Sequence, residues 1–215
     1  IPIAGGHTID SLEPIYGLVV IGLVRPDHVK RNFGARPGDK LILGKGLGVG
    51  IYSAAFKKEA LKAHDYEAMI ASTTQLNTPG PALACLDGVH ALTDVTGFGL
   101  GGHLLEICKA SGVAASLDFN ALPILPNALD YAREGFITGA STRNLQSYGT
   151  LLTLADRLGE PERMLLADPQ TSGGLLVACA PDTVTEVLSI FLQQGFERAS
   201  VIGEVIEGLP RVVVG

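Results

Sequence analysis

The placing of the glycines constrains the fold more than any other feature of the sequence. The chain has 27 glycines in 215 residues, about twice the average usage of ~7%. They are concentrated in four clusters: Ala4–Gly6, Gly44–Gly50, Gly97–Gly102 and Thr171–Gly174. Glycine clusters between strand-like and helix-like runs mark places where the backbone closely approaches another group. The pattern therefore predicts functional loops at the ends of strands.

Strand-like and helix-like runs alternate along most of the chain. The predicted strands include Lys40–Leu43, Gly88–Thr93 and Leu175–Ala180, and the predicted helices include Asp65–Leu76 and Val184–Gln194. No repeat recurs at a fixed period. Such alternation predicts an α/β or α+β layered domain.

The first residues are set apart from this body. Tyr16–Val24 is rich in β-branched residues and bounded by Pro14 and Pro26, which predicts a detached, buried strand. A domain boundary is expected near Pro26. Because Ile1 is not a start methionine and the first segment is already rich in motifs, we expect the chain to be a piece of a longer protein.

Charge and cysteine content exclude several classes of protein. The net charge is −6, from 16 Lys and Arg against 22 Asp and Glu, and no basic cluster is present. This argues against binding to nucleic acid or to an anionic membrane, and apolar runs such as Leu18–Val24 are too short to cross a bilayer. The three cysteines, Cys85, Cys108 and Cys179, form no C-x-x-C pair, which argues against disulfides and zinc, favours the cytoplasm and predicts buried side chains.

Asp94–His103 (DVTGFGLGGH) is the strongest candidate site. It follows a predicted strand and opens a predicted helix, where free amides and the helix N-terminus attract anions. A carboxylate at the strand end, Asp94, can hold Mg²⁺ next to a phosphate. The alternative is a tight turn in which Asp94 only caps the helix.

The same segment matches a dinucleotide-binding pattern. Gly97, Gly99 and Gly102 fit G-x-G-x-x-G, and Asp118 lies 21 residues after Gly97. A chance match is easy in a chain this rich in glycine. The pattern also requires its first glycine at the strand end, where Asp94 stands here. We keep a dinucleotide-binding oxidoreductase only as a distant alternative.

Other motifs leave their role open. Gly44–Gly46 (GKG) lacks the Ser or Thr of a phosphate-binding P-loop and predicts a helix-entry turn. Asp168–Gly174 (DPQTSGG) could cradle an oxyanion or form a buried turn. Gly5–Thr8 is a glycine turn that could wrap a phosphate. The remaining histidines lack metal-ligand spacing, which predicts structural roles: His28, His64, His90 and His103.

In their order along the chain, these motifs resemble the selenophosphate synthetase family. The matching stretches are residues 5–10 (GGHTID), 47–50 (LGVG), 93–100 (TDVTGFGL), 142–144 (TRN), 168–174 (DPQTSGG) and 202–204 (IGE). The central and DPQTSGG motifs also resemble the wider superfamily of aminoimidazole ribonucleotide synthetase. The resemblance covers nearly the whole chain.

The resemblance implies a fold and an activity. Members are ATP-dependent phosphotransferases (selenide, water dikinases) that make selenophosphate from selenide, water and ATP, releasing AMP and phosphate. They are homodimers that use Mg²⁺. Residues 1–26 would be the last strand and linker of an N-terminal ATP-binding domain, and residues 27–215 would be the C-terminal α/β domain, a mixed sheet with helices packed on it.

The resemblance also implies which residues bind ligands. Asp94 would be a Mg²⁺ ligand, and the ATP contacts would be Gly5, Gly6, His7 and Thr8. The family's catalytic Cys or selenocysteine and its Lys lie upstream of the Gly-Gly-His motif, so we expect no catalytic residue here and no activity from the chain alone. The implied partners are ATP and selenide, without nucleic acid or membrane, in the cytoplasm.

Two other hypotheses about the function of the chain remain open. The chain could belong to another ATP-dependent enzyme of the aminoimidazole ribonucleotide synthetase superfamily. It could instead be a folded, non-catalytic lid or dimerisation module.

Overall fold

The structure is a computed structural model that describes residues 2–215. Seven strands form one sheet: β1 (Lys40–Leu43), β2 (Val89–Asp94), β3 (Ala114–Leu117), β4 (Leu152–Leu154), β5 (Leu175–Cys179), β6 (Ser200–Ile206) and β7 (Val212–Val214). The described residues also form eight α-helices: α1 (Val49–Lys57), α2 (Ala63–Thr74), α3 (Gly80–Ala84), α4 (Gly99–Ser111), α5 (Ala128–Arg133), α6 (Gly139–Tyr148), α7 (Glu160–Leu166) and α8 (Val184–Gln193).

The sheet is mixed. Its strand order is β2-β5-β1-β6-β3-β7-β4. The first five strands in this order pair antiparallel, whereas β7 pairs parallel with both β3 and β4. The predicted fold class, a mixed sheet with helices packed on it, is therefore confirmed.

Alternate residues of the central strands enter two separate cores. On β1, Leu41 and Leu43 face the larger core, whereas Ile42 faces a smaller one that includes Val187 and Phe191 of α8. Because successive side chains of a strand point to opposite faces, both faces of the sheet are covered where β1 and β5 lie. This explains why these strands are continuous apolar runs in the sequence.

The predicted burial of Tyr16–Val24 is wrong for this chain. Residues 2–25 form no helix or strand, and Val19, Ile21 and Leu23 are 93%, 88% and 103% exposed. A strand needs a neighbour to satisfy its backbone groups and cover its side chains, and no strand within the described residues pairs with this segment. Its assignment to a preceding domain stays a prediction.

In residues 27–215 most of the observed helices and strands were predicted from the sequence. The prediction missed α3, and it missed α6, α7 and β4, which lie between residues 139 and 166. Two of the cysteines are buried as expected, but Cys85 is exposed. None of the helices among residues 2–215 has the length and apolarity that crossing a membrane requires.

Candidate functional site

Asp94 is the last residue of β2, and its side chain is exposed. Its carboxylate makes no hydrogen bond or ion pair with any other residue in the 2–215 range. The alternative role as a cap of α4 is not observed, because the N-cap position of that helix is Phe98 and has no side-chain cap. The carboxylate is therefore available to a ligand.

The loop that joins Asp94 to α4, residues 95–98, is called the Asp94 loop below, and it is held through its carbonyl groups. The Thr96 carbonyl accepts hydrogen bonds from the amides of Gln170 (2.9 Å) and Gly99 (3.1 Å). The Gly97 carbonyl accepts from Asn144 Nδ2 at 2.8 Å, and the Phe98 carbonyl accepts from the Tyr148 hydroxyl at 2.6 Å. Three consecutive carbonyls are thus turned towards the protein.

The amides of the same loop are left without protein partners. Within the part of the chain that the structure describes, no acceptor is recorded for the N–H groups of Thr96, Gly97 or Phe98. Gly97 is exposed, and α4 begins immediately afterwards. Free amides ahead of a helix N-terminus attract negative charge, so an anion beside Asp94 would meet hydrogen-bond donors.

The glycines of the loop and of the first turn of α4 differ in what an added Cβ atom would contact. At Gly99 φ is +68°, and a Cβ atom there would lie 2.7 Å from the carbonyl carbon of Ala167. At Gly102 a Cβ would lie 2.6 Å from the Phe98 Cβ. A Cβ at Gly97, by contrast, would have nothing within 4 Å. Only Gly97 faces open space, where a ligand could approach the backbone.

The dinucleotide alternative is not supported by this geometry. A dinucleotide-binding unit needs its glycine loop between two neighbouring parallel strands, but three strands separate β2 from β3. Asp118, the candidate ribose ligand, instead accepts a hydrogen bond from the Asn120 amide at 3.0 Å and caps a short 3-10 turn.

The motif Asp168–Gly174 forms a turn with buried ends and an exposed tip, Thr171 and Ser172, and its first residues cap α1. Asp168 is 0% exposed, and its Oδ2 accepts from the Gly50 amide at 2.9 Å. Gln170 Oε1 accepts from the amides of Gly48 and Val49, both at 3.2 Å. A carboxylate and an amide oxygen of the protein itself therefore occupy this helix N-terminus. Asp168 and Gln170 thus have a structural role, whereas the exposed side chains of Thr171 and Ser172 make no hydrogen bond within residues 2–215, so the two alternatives for the motif stay open at its tip.

Lys45 is buried in the same region and closes the end of α2. Its Nζ donates to the carbonyls of Ser72, Gln75 and Ser172 at 3.2, 2.6 and 2.7 Å. Burial lowers the pKa of Lys45. The side chain is thus committed to the backbone, in agreement with the prediction that Gly44–Gly46 is a structural turn.

Asp168 gives the stability of the fold a testable pH dependence. Burial raises its pKa from 3.8 to about 7, against the opposing hydrogen bonds that its Oδ2 accepts from Gln170 Nε2 and the Gly50 amide, both at 2.9 Å. Between these two values the folded chain holds the proton more tightly than the unfolded chain, so this group's contribution to stability falls as pH rises and levels off above about 7. We expect the unfolding free energy of Asp168→Asn to gain relative to wild type from about pH 4 to about pH 7, measured by urea denaturation. A difference that moves the opposite way would show that the fold stabilises the charged carboxylate.

The other predicted ligand residues do not lie at this loop. Gly5, Gly6, His7 and Thr8 are exposed and make no hydrogen bond to the rest of the described chain. Their assignment as ATP contacts stays a prediction.

Several residues that shape the site were not identified from sequence. Tyr148 holds the Asp94 loop from outside it, and so does Gln170, for which the sequence predicted a place in the Asp168–Gly174 motif but not this contact. His103 was expected to be structural, and its ring bridges Thr96 and Glu106, two partners that were not predicted. The i,i+3 spacing of His103 and Glu106 on one helix was the only signal in the sequence.

Comparison with known proteins assigns the domain. The model of the family "AIR synthase related protein, C-terminal domain" matches residues 36–215. The chain belongs to this family. The match begins just before β1 and spans all of the sheet, so the AIR synthase-related domain and the folded body coincide. The resemblance to the aminoimidazole ribonucleotide synthetase superfamily is confirmed.

Curated relatives extend the match over the full chain. A protein of Dechloromonas aromatica named "Selenide, water dikinase" is 67% identical over 214 residues, which is 100% of this chain and 62% of the relative. One of Burkholderia pseudomallei with the same name is 57% identical over 214 residues, again 100% of this chain and 60% of the relative. The chain therefore spans about three fifths of the relatives it matches, and the predicted resemblance to selenophosphate synthetases is confirmed.

A solved structure supports the fold independently. The thiamine-monophosphate kinase of Stenotrophomonas maltophilia superposes with a TM-score of 0.61 at 22% identity, covering 89% of this chain and 54% of that one. At this identity the similarity concerns the fold alone.

Proposed function

We propose that the full-length protein is a selenide, water dikinase, an ATP-dependent phosphotransferase that makes selenophosphate from selenide, water and ATP and releases AMP and phosphate. The observation that carries this proposal is the 67% identity, over the whole of this chain, to a protein named "Selenide, water dikinase". The chain would supply the C-terminal domain. We further propose that the intact enzyme is a cytoplasmic homodimer.

In this proposal Asp94 is one ligand of Mg²⁺. The fit is to a single ligand, because no group of three His, Cys, Asp or Glu side chains within residues 2–215 could hold a metal ion. Mg²⁺ at nucleotide sites is commonly held by one or two carboxylates together with substrate phosphates. When bound, the ion would neutralise phosphate charge, and Asp94 would fix its position relative to the loop.

The loop amides would bind the phosphates directly. Phosphoryl transfer depends mainly on positioning and on neutralising charge. The N–H groups of Gly97 and Phe98 are free, and the bonds from Asn144 and Tyr148 keep the loop in place before any ligand arrives. Donors that are already oriented need no rearrangement when charge develops.

The surroundings of Asp94 suggest that another part of the protein completes the site. Asp94 and Gly97 are both exposed, whereas a cavity of about 390 Å³ lies elsewhere, lined by Lys45, Gln75 and Arg198 among others. That cavity contains no residue of the Asp94 loop. Residues 2–25 and the further length of the relatives provide chain that could cover the loop.

Gly97→Ala tests whether phosphates approach the loop. Because a Cβ there meets nothing within 4 Å, we expect the variant to unfold within about 1 kcal/mol of wild type. In the full-length protein, the added methyl group is expected to raise the KM for ATP about tenfold or more. Steady-state kinetics and thermal denaturation measure the two effects.

The matched control is Gly80→Ala at the start of α3, where a Cβ meets only Leu175 Cδ1 at 3.8 Å. This variant is expected to change neither stability nor KM. An unchanged KM in Gly97→Ala would mean that phosphates do not reach this loop.

Product analysis tests the activity itself. The full-length protein, incubated with ATP, Mg²⁺ and selenide, is expected to form selenophosphate, AMP and phosphate in equal amounts, followed by ³¹P NMR. ATP turnover that ends at ADP, or that does not depend on selenide, would favour another ATP-dependent enzyme of the superfamily. If the full-length protein turns over no ATP but restores the activity of a separate enzyme when the two are mixed, the chain would be a lid or dimerisation module.

A further inference from the structure

A hydroxyl, an imidazole and a carboxylate form a chain of hydrogen bonds beside the Asp94 loop. Thr96 Oγ1 lies 3.1 Å from His103 Nε2, and His103 Nδ1 lies 3.1 Å from Glu106 Oε2. The His103 side chain is only 9% exposed, whereas that of Glu106 is 42% exposed. The ring of Phe98 lies 5.7 Å from the imidazole and helps to cover it.

The direction of donation in these two hydrogen bonds follows from the chemistry of the carboxylate and the hydroxyl at the two ends. A carboxylate can only accept a hydrogen bond, so His103 Nδ1 carries a proton and donates it to Glu106. In the neutral imidazole the other nitrogen, Nε2, then has a lone pair and accepts from the Thr96 hydroxyl. The Thr96 proton is thereby directed inwards, and its oxygen lone pairs remain for a partner outside the protein.

Within residues 96–98 the Thr96 hydroxyl is an acceptor beside free donors, and the other acceptor nearby is the exposed Asp94 carboxylate, which the proposed function assigns to Mg²⁺. The neighbouring amides of Gly97 and Phe98 are donors, which suit phosphate oxygens. The Thr96 oxygen would repel a phosphate oxygen and instead fits a group with an O–H bond. In the reaction proposed above, water is the substrate with that chemistry, and enzymes of phosphoryl transfer commonly carry a residue that orients the attacking water.

We propose that Thr96 contacts the substrate water and accepts a hydrogen bond from it, and that His103 and Glu106 are positioning residues that hold the Thr96 hydroxyl in this orientation. The inference rests on the proposed function for the identity of the substrate. The arrangement of the three side chains does not depend on it. Thr96 is half-buried, and its carbonyl accepts hydrogen bonds from the amides of Gln170 and Gly99. These bonds fix the backbone that carries the hydroxyl.

The first test reads the tautomer of His103 without any ligand. The 215-residue chain is labelled with ¹⁵N at histidine and examined by NMR at about pH 8, above the ordinary titration range of imidazole. Loss of one signal set in His103→Gln assigns the ring. We expect the proton on Nδ1 in wild type and on Nε2, at least in part, in Glu106→Gln, because glutamine can also donate. A proton on Nε2 in wild type would overturn the proposal.

The second test separates positioning from folding in the full-length protein. Thr96→Val is expected to lower kcat roughly 100-fold while the KM for ATP stays within about threefold. Thr96→Ser, which keeps the hydroxyl, should retain kcat, and Glu106→Gln should lower kcat with an unchanged KM. Wild-type kcat in Thr96→Val, or in Glu106→Gln when its tautomer has changed, would contradict the proposal.

The two tests also separate this inference from the proposed function. If wild-type protein forms no selenophosphate, the proposed function fails, whatever the tautomer. If it does form selenophosphate but Thr96→Val is fully active, only the role of Thr96 fails.

Discussion

Replacing Asp94 with asparagine in the full-length protein is expected to lower Mg²⁺-dependent kcat by about 100-fold or more. Mutating the residues that only orient metal ligands already lowers activity up to about 100-fold. Asparagine keeps the shape of the side chain but removes the negative charge that a hard cation requires. Because the Asp94 carboxylate is exposed and has no partner within residues 2–215, the unfolding free energy should change by less than about 0.5 kcal/mol. Kinetics at several Mg²⁺ concentrations, together with urea denaturation, measure both quantities.

Asp118→Asn is the matched control for this variant. Asp118 comes directly after β3, as Asp94 comes at the end of β2, and it is also exposed, but its carboxylate caps a 3-10 turn. Asparagine caps such turns as well as aspartate does, so wild-type activity and stability are expected. Wild-type activity in Asp94→Asn itself would reject Asp94 as a metal ligand. A large loss of stability in that variant would show that the carboxylate has a structural role.

Gly173→Ala is expected to destabilise the protein by about 3 kcal/mol or more. A Cβ at this position would lie 1.8 Å from the carbonyl oxygen of Val95, the residue after Asp94. The two loops would have to separate, which would also disturb the bond from the Gln170 amide to the Thr96 carbonyl. For a chain of this size the loss corresponds to a melting temperature lower by roughly 10 °C, which calorimetry would detect.

Gly97→Ala provides the comparison, since the same substitution there meets nothing within 4 Å. The two variants should differ in stability. Gly97→Ala is expected to stay stable and to bind ATP more weakly, whereas Gly173→Ala is expected to lose both stability and activity. Equal stability of the two proteins would show that the turn of Asp168–Gly174 does not pack on the Asp94 loop as described.

Local sequence patterns were sufficient to place Asp94. Apolar β-branched runs predicted the strands, and β1 was predicted at its observed bounds, Lys40–Leu43. The glycine cluster after Asp94 predicted a helix entry at a strand end, which α4 confirms. These features depend on neighbours in sequence, and periodicity and turn chemistry report them directly.

The contacts that support the site could not be predicted in this way. Asp168 bonds to Gly50 across 118 residues, and the closeness of Gly173 to Val95 is likewise a tertiary contact. Helix α6 was missed because its sequence, GASTRNLQSY, is polar and contains weak helix formers. Two of its residues, Asn144 and Tyr148, hold the loop carbonyls, and no one-chain pattern signals such a role.

The error at Tyr16–Val24 has a physical cause. Apolar composition shows that a segment favours burial, but it does not show that a covering surface lies within the same chain. The exposed segment would need neighbouring strands from elsewhere in the full-length protein or from a second copy, which accords with the three fifths of the relatives' length that the chain spans.

The most direct measurement is a crystal structure of the full-length protein with Mg²⁺ and a non-hydrolysable ATP analogue. We expect an Asp94 carboxylate oxygen about 2.1 Å from Mg²⁺ and the amide of Gly97 or Phe98 within about 3 Å of a phosphate oxygen. A bound nucleotide whose metal is held entirely by other residues, with the Asp94 loop facing solvent, would contradict this expectation.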